Sequence, residues 1–288
     1  MPAGLVLIDK PQGFTSHDVV AKLRKKLGTK KIGHAGTLDP MATGLLVLGV
    51  DAGTKLLTFL VGADKTYEAR IRLGQSTGTD DAEGEVLSST SALHLNRAVI
   101  EAEIAKLTGR ISQIPSAVSA IKVDGKRAYD LVREGKQVEL KSRAVDISRF
   151  ELTSEISIVD EYLEFDVVVD CSSGTYIRAL ARDLGTALGV GGHLRALRRT
   201  RVGSYSVDEA TAIDSGPVVL DLTEAAGKVF PLLELTQSQA VDLVHGKRIT
   251  LQNQGNLCAT FGGKLIGILE PAGASYKSLV VFPEVLNG

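Results

Sequence analysis

Apolar and polar positions change period several times along the chain, and each change predicts an element. Gly4–Ile8 is a short apolar run, read as a buried strand, and Pro11 and Gly13 turn the chain after it. Val19, Val20, Leu23 and Leu27 then fall on one helical face. Thr15 or Ser16 can cap that helix and Gly28 ends it. Residues 33–43 carry Gly33, Gly36 and Pro40 and read as a loop, followed by a buried strand at Gly44–Val50. Thr66–Leu73 alternates cleanly, with Tyr67, Ala69, Ile71 and Leu73 on one face, and predicts a half-buried antiparallel strand.

The polar run Gly74–Gly84 reads as a surface loop. Asn96–Leu107 reads as a helix with Val99, Ile100, Ile104 and Leu107 inward. Charge-rich Lys122–Arg143 reads as a mobile surface segment with a short helix around Arg127–Arg133. Leu163, Phe165, Val167 and Val169 alternate as a strand. Cys171–Gly174 turns the chain into a helix with Ile177, Leu180, Ala181, Leu184 and Leu188 inward, and Arg178 in its first turn. Beyond about Ser215 the chain breaks into short β-type runs at Cys258–Phe261, Leu265–Leu269 and Ser278–Phe282, separated by glycines, which predict a small β-rich module.

Composition narrows the class. A chain of 288 residues suits one large domain or two unequal ones, and 44% hydrophobic with 23% charged residues argues against disorder. No apolar run approaches the roughly 18 residues of a membrane helix, and the start lacks the basic region of a signal peptide, so a cytoplasmic protein is expected. Cys171 and Cys258 stand apart and outside any Cys/His cluster, which predicts two buried thiols and no metal site.

The net charge of -1 announces no nucleic-acid partner, but the charge is uneven. Lys22, Arg24, Lys25, Lys26, Lys30 and Lys31 form one strip without acids; Arg195, Arg198, Arg199 and Arg201 form another. Taken blandly these are a solvated helix face and a loop; salt screens distant acids, so either can also hold phosphates.

Two phosphate-binding readings fail. Gly28 to Gly33 has P-loop spacing, but His34-Ala35 stands where Lys-Ser/Thr is required. Gly185–Gly192 trails a helix instead of opening one after a strand. The chemically suggestive stretch is Gly33–Pro40. There Pro40 biases Asp39 away from helical geometry, and glycines let another backbone come close. From the residues alone, Asp39 is either a cleft-facing carboxylate or the acid of an Asx-turn.

Gly33-His34-Ala35-Gly36-Thr37-Leu38-Asp39-Pro40-Met41-Ala42-Thr43-Gly44 resembles the catalytic-loop motif of the TruB branch of pseudouridine synthases. Four further segments match that family in order over roughly residues 5–205: Leu7–Gly13 with Thr15-Ser16, Lys65-Thr66-Tyr67, Ile114–Ser116 with Ser119–Lys122, and Cys171–Arg178 with Leu197–Thr200 after it. The resemblance implies an α+β fold, with a mixed, largely antiparallel sheet flanked by helices. It places a catalytic domain at 1–227 and a small PUA-like RNA-binding domain at 228–288.

It also implies isomerisation of one uridine, position 55, in the T-loop of tRNA. Asp39 would be the nucleophile, Arg178 its ion-pair partner and Tyr67 the ring stacked on the target base. His34 would fill the space left by the flipped nucleotide. Lys10, Pro11 and Tyr176 would support the pocket, Leu197 would pack on uracil, and Arg198 and Arg199 would meet phosphates. Lys122–Arg143 would be a thumb closing on RNA. No metal, cofactor or protein partner is implied, and a monomer is expected.

Two rival readings fit the same residues. One is an RNA chaperone that binds and refolds tRNA without turnover. The other is a glycosidase, which would need a second carboxylate about 5–9 Å from Asp39. Asp80 and Asp81, placed in the exposed-looking loop, do not supply it.

Overall fold

The computed structural model describes residues 3–116, 122–123, 126–127, 140–252 and 254–283. The chain divides into two compact units: Met1–Asp39, Leu45–Val61 and Gly203–Gly288 form one, and Pro40–Gly44 with Gly62–Val202 forms the other.

In the first unit the strand Gly4–Lys10 lies between Thr43–Val50 and the short Thr211–Ala212 strand. It runs parallel to Thr211–Ala212 and pairs antiparallel with Val219–Asp221. The helix Ser16–Leu27 covers these strands, burying Val19, Val20 and Leu23 against Val6, Ile8, Leu46, Leu48 and Val50. Both predicted helix ends hold. Thr15 is the cap, with Asp18 reciprocating, and Gly28 closes the helix at a left-handed φ of 64°. The segment read as a loop from residue 33 instead begins with a strand, Ile32–His34, which turns antiparallel onto Thr43–Val50.

Later in the same unit, Leu232–Glu234 runs parallel to Leu257–Phe261, and Lys264–Ala272 and Ser275–Val281 follow antiparallel. Helix Gln237–Val244 seals their face through Ala240 and Leu243, which pack with Leu257, Ile266, Leu269 and Tyr276. The expected β-rich runs are therefore present, with their own apolar cluster.

The second unit is an antiparallel array in the order Gly192–Val202, Lys65–Leu73, Tyr162–Cys171, Arg143–Leu152, Gly109–Gln113. Tyr67, Ala69, Ile71 and Leu73 are buried as their alternation predicts. Opposite them, Glu164 stands beside Arg72 in register and pairs with it at 2.6 Å. Helix Arg97–Lys106 buries Ile100 and Ile104, but Val99, expected inward, is 42% exposed. Helix Ile177–Ala187 buries the predicted Ile177, Leu180, Ala181 and Leu184 and packs on Gly192–Val202. Gly185 permits that approach: a Cβ there would stand 2.2 Å from the backbone of Gly191 and Gly192.

Two readings change. The Gly192–Val202 stretch, taken as a basic loop, is a strand whose β-bulges at Leu194/Ala196 and Arg199/Arg201 reset the alternation. The Gly74–Gly84 loop contains a short strand, Gln75–Thr77, paired with Val86–Ser89, and its Asp80 and Asp81 are buried. The expected thumb, Lys122–Arg143, falls largely outside the described residues, which include of it the Lys122–Val123 and Lys126–Arg127 pairing and residues 140–143. Among the described residues no helix is long and apolar enough to cross a membrane.

Candidate active site

In the first unit, Lys10 ends its strand fully buried. A buried ammonium needs oxygen partners, and its Nζ donates to the carbonyls of Pro11 at 3.0 Å and Phe14 at 2.7 Å. That closes the turn into the Ser16–Leu27 helix. His34, at the end of its strand, meets the His17 ring edge-on at 5.8 Å. After it the Ala35 amide donates to the carbonyl of Val47 at 2.9 Å, starting the loop. Leu38 is buried, and both of its backbone polar groups bond the hydroxyl of Ser16. Asp39, half-buried, comes next.

Asp39 is joined directly to Pro40–Gly44, a segment of the second unit. There Thr43 and Gly44 pair in parallel with Arg198 and Arg199. Gly44 is required at this crossing: its φ is +99°, and a Cβ would sit 2.3 Å from the Arg199 carbonyl oxygen. Arg198 donates to the Thr43 hydroxyl at 3.4 Å.

In the second unit, Tyr67 is buried on the apolar face of its strand, between Val169 and Arg199 of the neighbouring strands. Tyr176 caps the Ile177–Ala187 helix without a side-chain cap bond. Instead Gln113, wholly buried, accepts from the Tyr176 amide at 2.8 Å and donates to its carbonyl at 3.1 Å. Arg143 lies over the Tyr176 ring at 5.5 Å. This fixes the helix start that carries Arg178.

The Arg178 side chain is only 5% exposed, as is that of Asp81, and the two pair at 3.4 Å. Arg178 also donates to the Thr79 carbonyl at 2.8 Å, while Arg182 pairs with Asp80 at 3.1 Å. Leu197 is buried; Arg198 is partly exposed; Arg199 is 1% exposed. Arg199 was expected to meet phosphate from a basic loop, but its place inside a strand closes it to solvent. Among the described residues no group of three or more His, Cys, Asp or Glu side chains could hold a metal.

The sequence matches a family model described as TruB family pseudouridylate synthase (N terminal domain) over residues 24–177, more than half of the chain. The chain belongs to the TruB family of pseudouridylate synthases. Two C-terminal models of tRNA pseudouridylate synthases match residues 178–218 and 230–283. Curated relatives include a tRNA pseudouridine synthase B from Leifsonia xyli, 54% identical, with 98% of this chain and 97% of the relative covered. Another, from an Arthrobacter strain, is 51% identical at 98% and 97% coverage. Among solved structures, a chain of an H/ACA ribonucleoprotein bound to a substrate RNA containing 2′-deoxyuridine aligns at a TM-score of 0.70 and 22% identity, covering 97% of this chain and 84% of that one. A Cbf5–Nop10–Gar1 complex aligns at 0.68 and 23%, covering 96% and 84%. At these identities the two structures speak for the pseudouridine-synthase fold.

For a TruB-family chain, the supporting roles that the sequence does not reveal are those of Asp81, Gln113 and Ser16. Asp81 was passed over because a polar run has no apolar period to betray burial. The signal that points to it is the need of a helix-embedded Arg178 for an acid. The basic strip of the first helix is also partly committed. Lys22 pairs with Asp214 at 2.6 Å, Lys26 bonds the carbonyls of Ile213 and Asp214, and Arg24 bonds that of Ile32. Lys25, Lys30 and Lys31 are exposed.

Lys65, at the foot of the Tyr67 strand, is buried and donates to the Ala63 carbonyl at 2.6 Å. Burial, and then the neighbouring Arg199 charge, push its pKa down from 10.5 to about 8. Between those values the unfolded chain holds the proton that the folded chain has lost, so this residue's contribution to stability rises with pH from about 8 to 10.5. A Lys65→Met variant lacks that rise. Urea unfolding should show the variant's stability relative to wild type falling between pH 7.5 and pH 9.5; a constant difference contradicts the assignment. Burial likewise raises the thiols of Cys171 and Cys258 to about 11, as inert interior groups.

Proposed function

We propose that this chain isomerises uridine 55 in the T-loop of tRNA to pseudouridine, with Asp39 as nucleophile. The glycosidic N1–C1′ bond breaks, the uracil turns within the site, a C5–C1′ bond forms, and the C5 proton leaves while N1 takes up a proton, so that Asp39 is released unchanged. The reaction is redox-neutral. A carboxylate can serve at ribose C1′ or at uracil C6, and each route needs it ionised beside a cation. Arg178 is assigned as that cation, because a guanidinium holds a carboxylate through paired hydrogen bonds.

One observation carries this reading. Pro40–Gly44, the segment after Asp39, belongs to the same compact unit as Tyr67, Arg178 and Leu197, and it pairs with the strand that bears Arg198 and Arg199. A single peptide bond, about 3.8 Å between Cα atoms, separates Asp39 from it. Relatives named tRNA pseudouridine synthase B, matched over nearly their whole length, support tRNA as substrate.

Extruding the uridine costs a few kcal/mol of stacking. Tyr67 is assigned to recover part of it under the base and His34 to fill the gap in the RNA, with Lys10, Pro11, Tyr176 and Leu197 shaping the pocket. Phosphate contacts fall to Arg198 and the exposed Lys25, Lys30 and Lys31, while buried Arg199 supports the Gly44 crossing. Residues 1–227 are read as the catalytic part and 228–288 as a PUA-like module for RNA.

Incubation with unmodified tRNA transcript, followed by mapping of pseudouridine, tests the proposal. One pseudouridine at position 55 is expected. Refolding of tRNA with no base changed would mark a chaperone and end the proposal.

A further inference from the structure

The loop that carries Asp39 is held by a residue outside it. Ser16 is the first residue of the Ser16–Leu27 helix, one place after the N-cap position from which a hydroxyl serves the helix's own end. Here Thr15 does that work, accepting from the Asp18 amide at 3.1 Å while Asp18 accepts from the Thr15 amide at 2.8 Å. The Ser16 hydroxyl is thereby available for a distant task. It is 1% exposed, accepts from the Leu38 amide at 2.9 Å and donates to the Leu38 carbonyl at 3.2 Å. One small group thus engages both backbone polar groups of the residue before Asp39, while the Leu38 side chain is itself buried.

On the other side of Asp39 stands Pro40, which fixes its own φ and restricts the backbone of the residue before it. The Asp39 Cα is therefore bracketed, by a double hydrogen bond on one side and a proline ring on the other. A carboxylate that must meet one atom of an extruded nucleotide benefits from such bracketing, because reaction rate falls steeply with misplacement of the attacking group.

We propose that Ser16 is a positioning residue for Asp39, acting through the backbone of Leu38 to set where the carboxylate stands when RNA arrives. The proposal rests on the assignment of Asp39 as nucleophile. Ser16 itself touches no reacting atom. A merely structural hydroxyl, satisfying a buried loop, would lower stability and leave turnover per folded molecule unchanged.

The test compares Ser16→Ala and Ser16→Cys in the full chain. Cysteine keeps the side chain's place with weaker bonds, and it substitutes for alanine if that variant fails to fold. With a T-stem-loop RNA, Ser16→Ala should lower kcat by roughly 10- to 100-fold, with KM within about threefold. Ser16→Cys should fall between alanine and wild type. In the RNA-free protein, hydrogen exchange at the Leu38 amide should quicken in Ser16→Ala while amides of Val20–Leu27 keep their protection.

A wild-type kcat in Ser16→Ala with quickened Leu38 exchange would overturn the proposal, as would faster exchange spread along the whole helix. Failure of the Asp39 assignment would look different: Asp39→Asn would keep its turnover, and the Leu38 exchange result would be untouched.

Discussion

Replacing Arg178 with methionine is expected to destabilise the folded chain by about 3 kcal/mol and to stop turnover. The stability loss follows from burial. Arg178 and Asp81 are each 5% exposed and 3.4 Å apart, so removing the cation leaves a carboxylate inside the protein without this partner. The Thr79 hydroxyl and the Glu83 amide still donate to Asp81, which keeps the loss from growing larger. The loss of turnover has a separate cause, since methionine offers no guanidinium to hold the Asp39 carboxylate, the role proposed for Arg178. A double variant, Arg178→Met with Asp81→Leu, separates the two: urea unfolding should show much of the stability restored, with turnover still absent. Turnover returning together with stability would limit Arg178 to a structural role.

Asp39→Asn is expected to have the larger effect on chemistry, a loss of at least about a thousandfold, because an amide cannot act as the nucleophile. The change is nearly isosteric. The anchors beside it, Ser16 on Leu38 and the Pro40 ring, do not depend on the carboxylate charge. RNA affinity should therefore stay within a few fold of wild type, since phosphate contacts supply most of it. Filter binding with a T-stem-loop measures this directly, and a collapse of affinity would move Asp39 from chemistry to binding.

The legible parts of the fold share a physical trait: their signals are local. Thr15 and Gly28 announce a helix's ends because capping involves neighbours in sequence. Tyr67–Leu73 and Leu163–Val169 alternate because each strand has one buried face. The Gly192–Val202 strand stayed hidden because its two bulges break the alternation, so Arg199 looks like part of a surface strip while lying inside. Asp80 and Asp81 stayed hidden because their ion-pair partners, Arg182 and Arg178, lie about a hundred residues on. Ile32–His34 is too short to show a period.

The candidate site follows the same division. Its motif residues were visible only through resemblance to the family, since a loop aspartate before a proline has an equally good reading as a turn. What the motif could not show is the support beneath it: Ser16 on Leu38, Gln113 on Tyr176 and Asp81 on Arg178. Such contacts join residues far apart in sequence, and no window of residues reports them.

The most direct test of the account is a single-turnover measurement with Asp39→Asn in excess over a T-stem-loop RNA tritiated at uracil C5. The account predicts that RNA binds and that tritium release stays at the level of enzyme-free RNA. Release at the wild-type rate would contradict it.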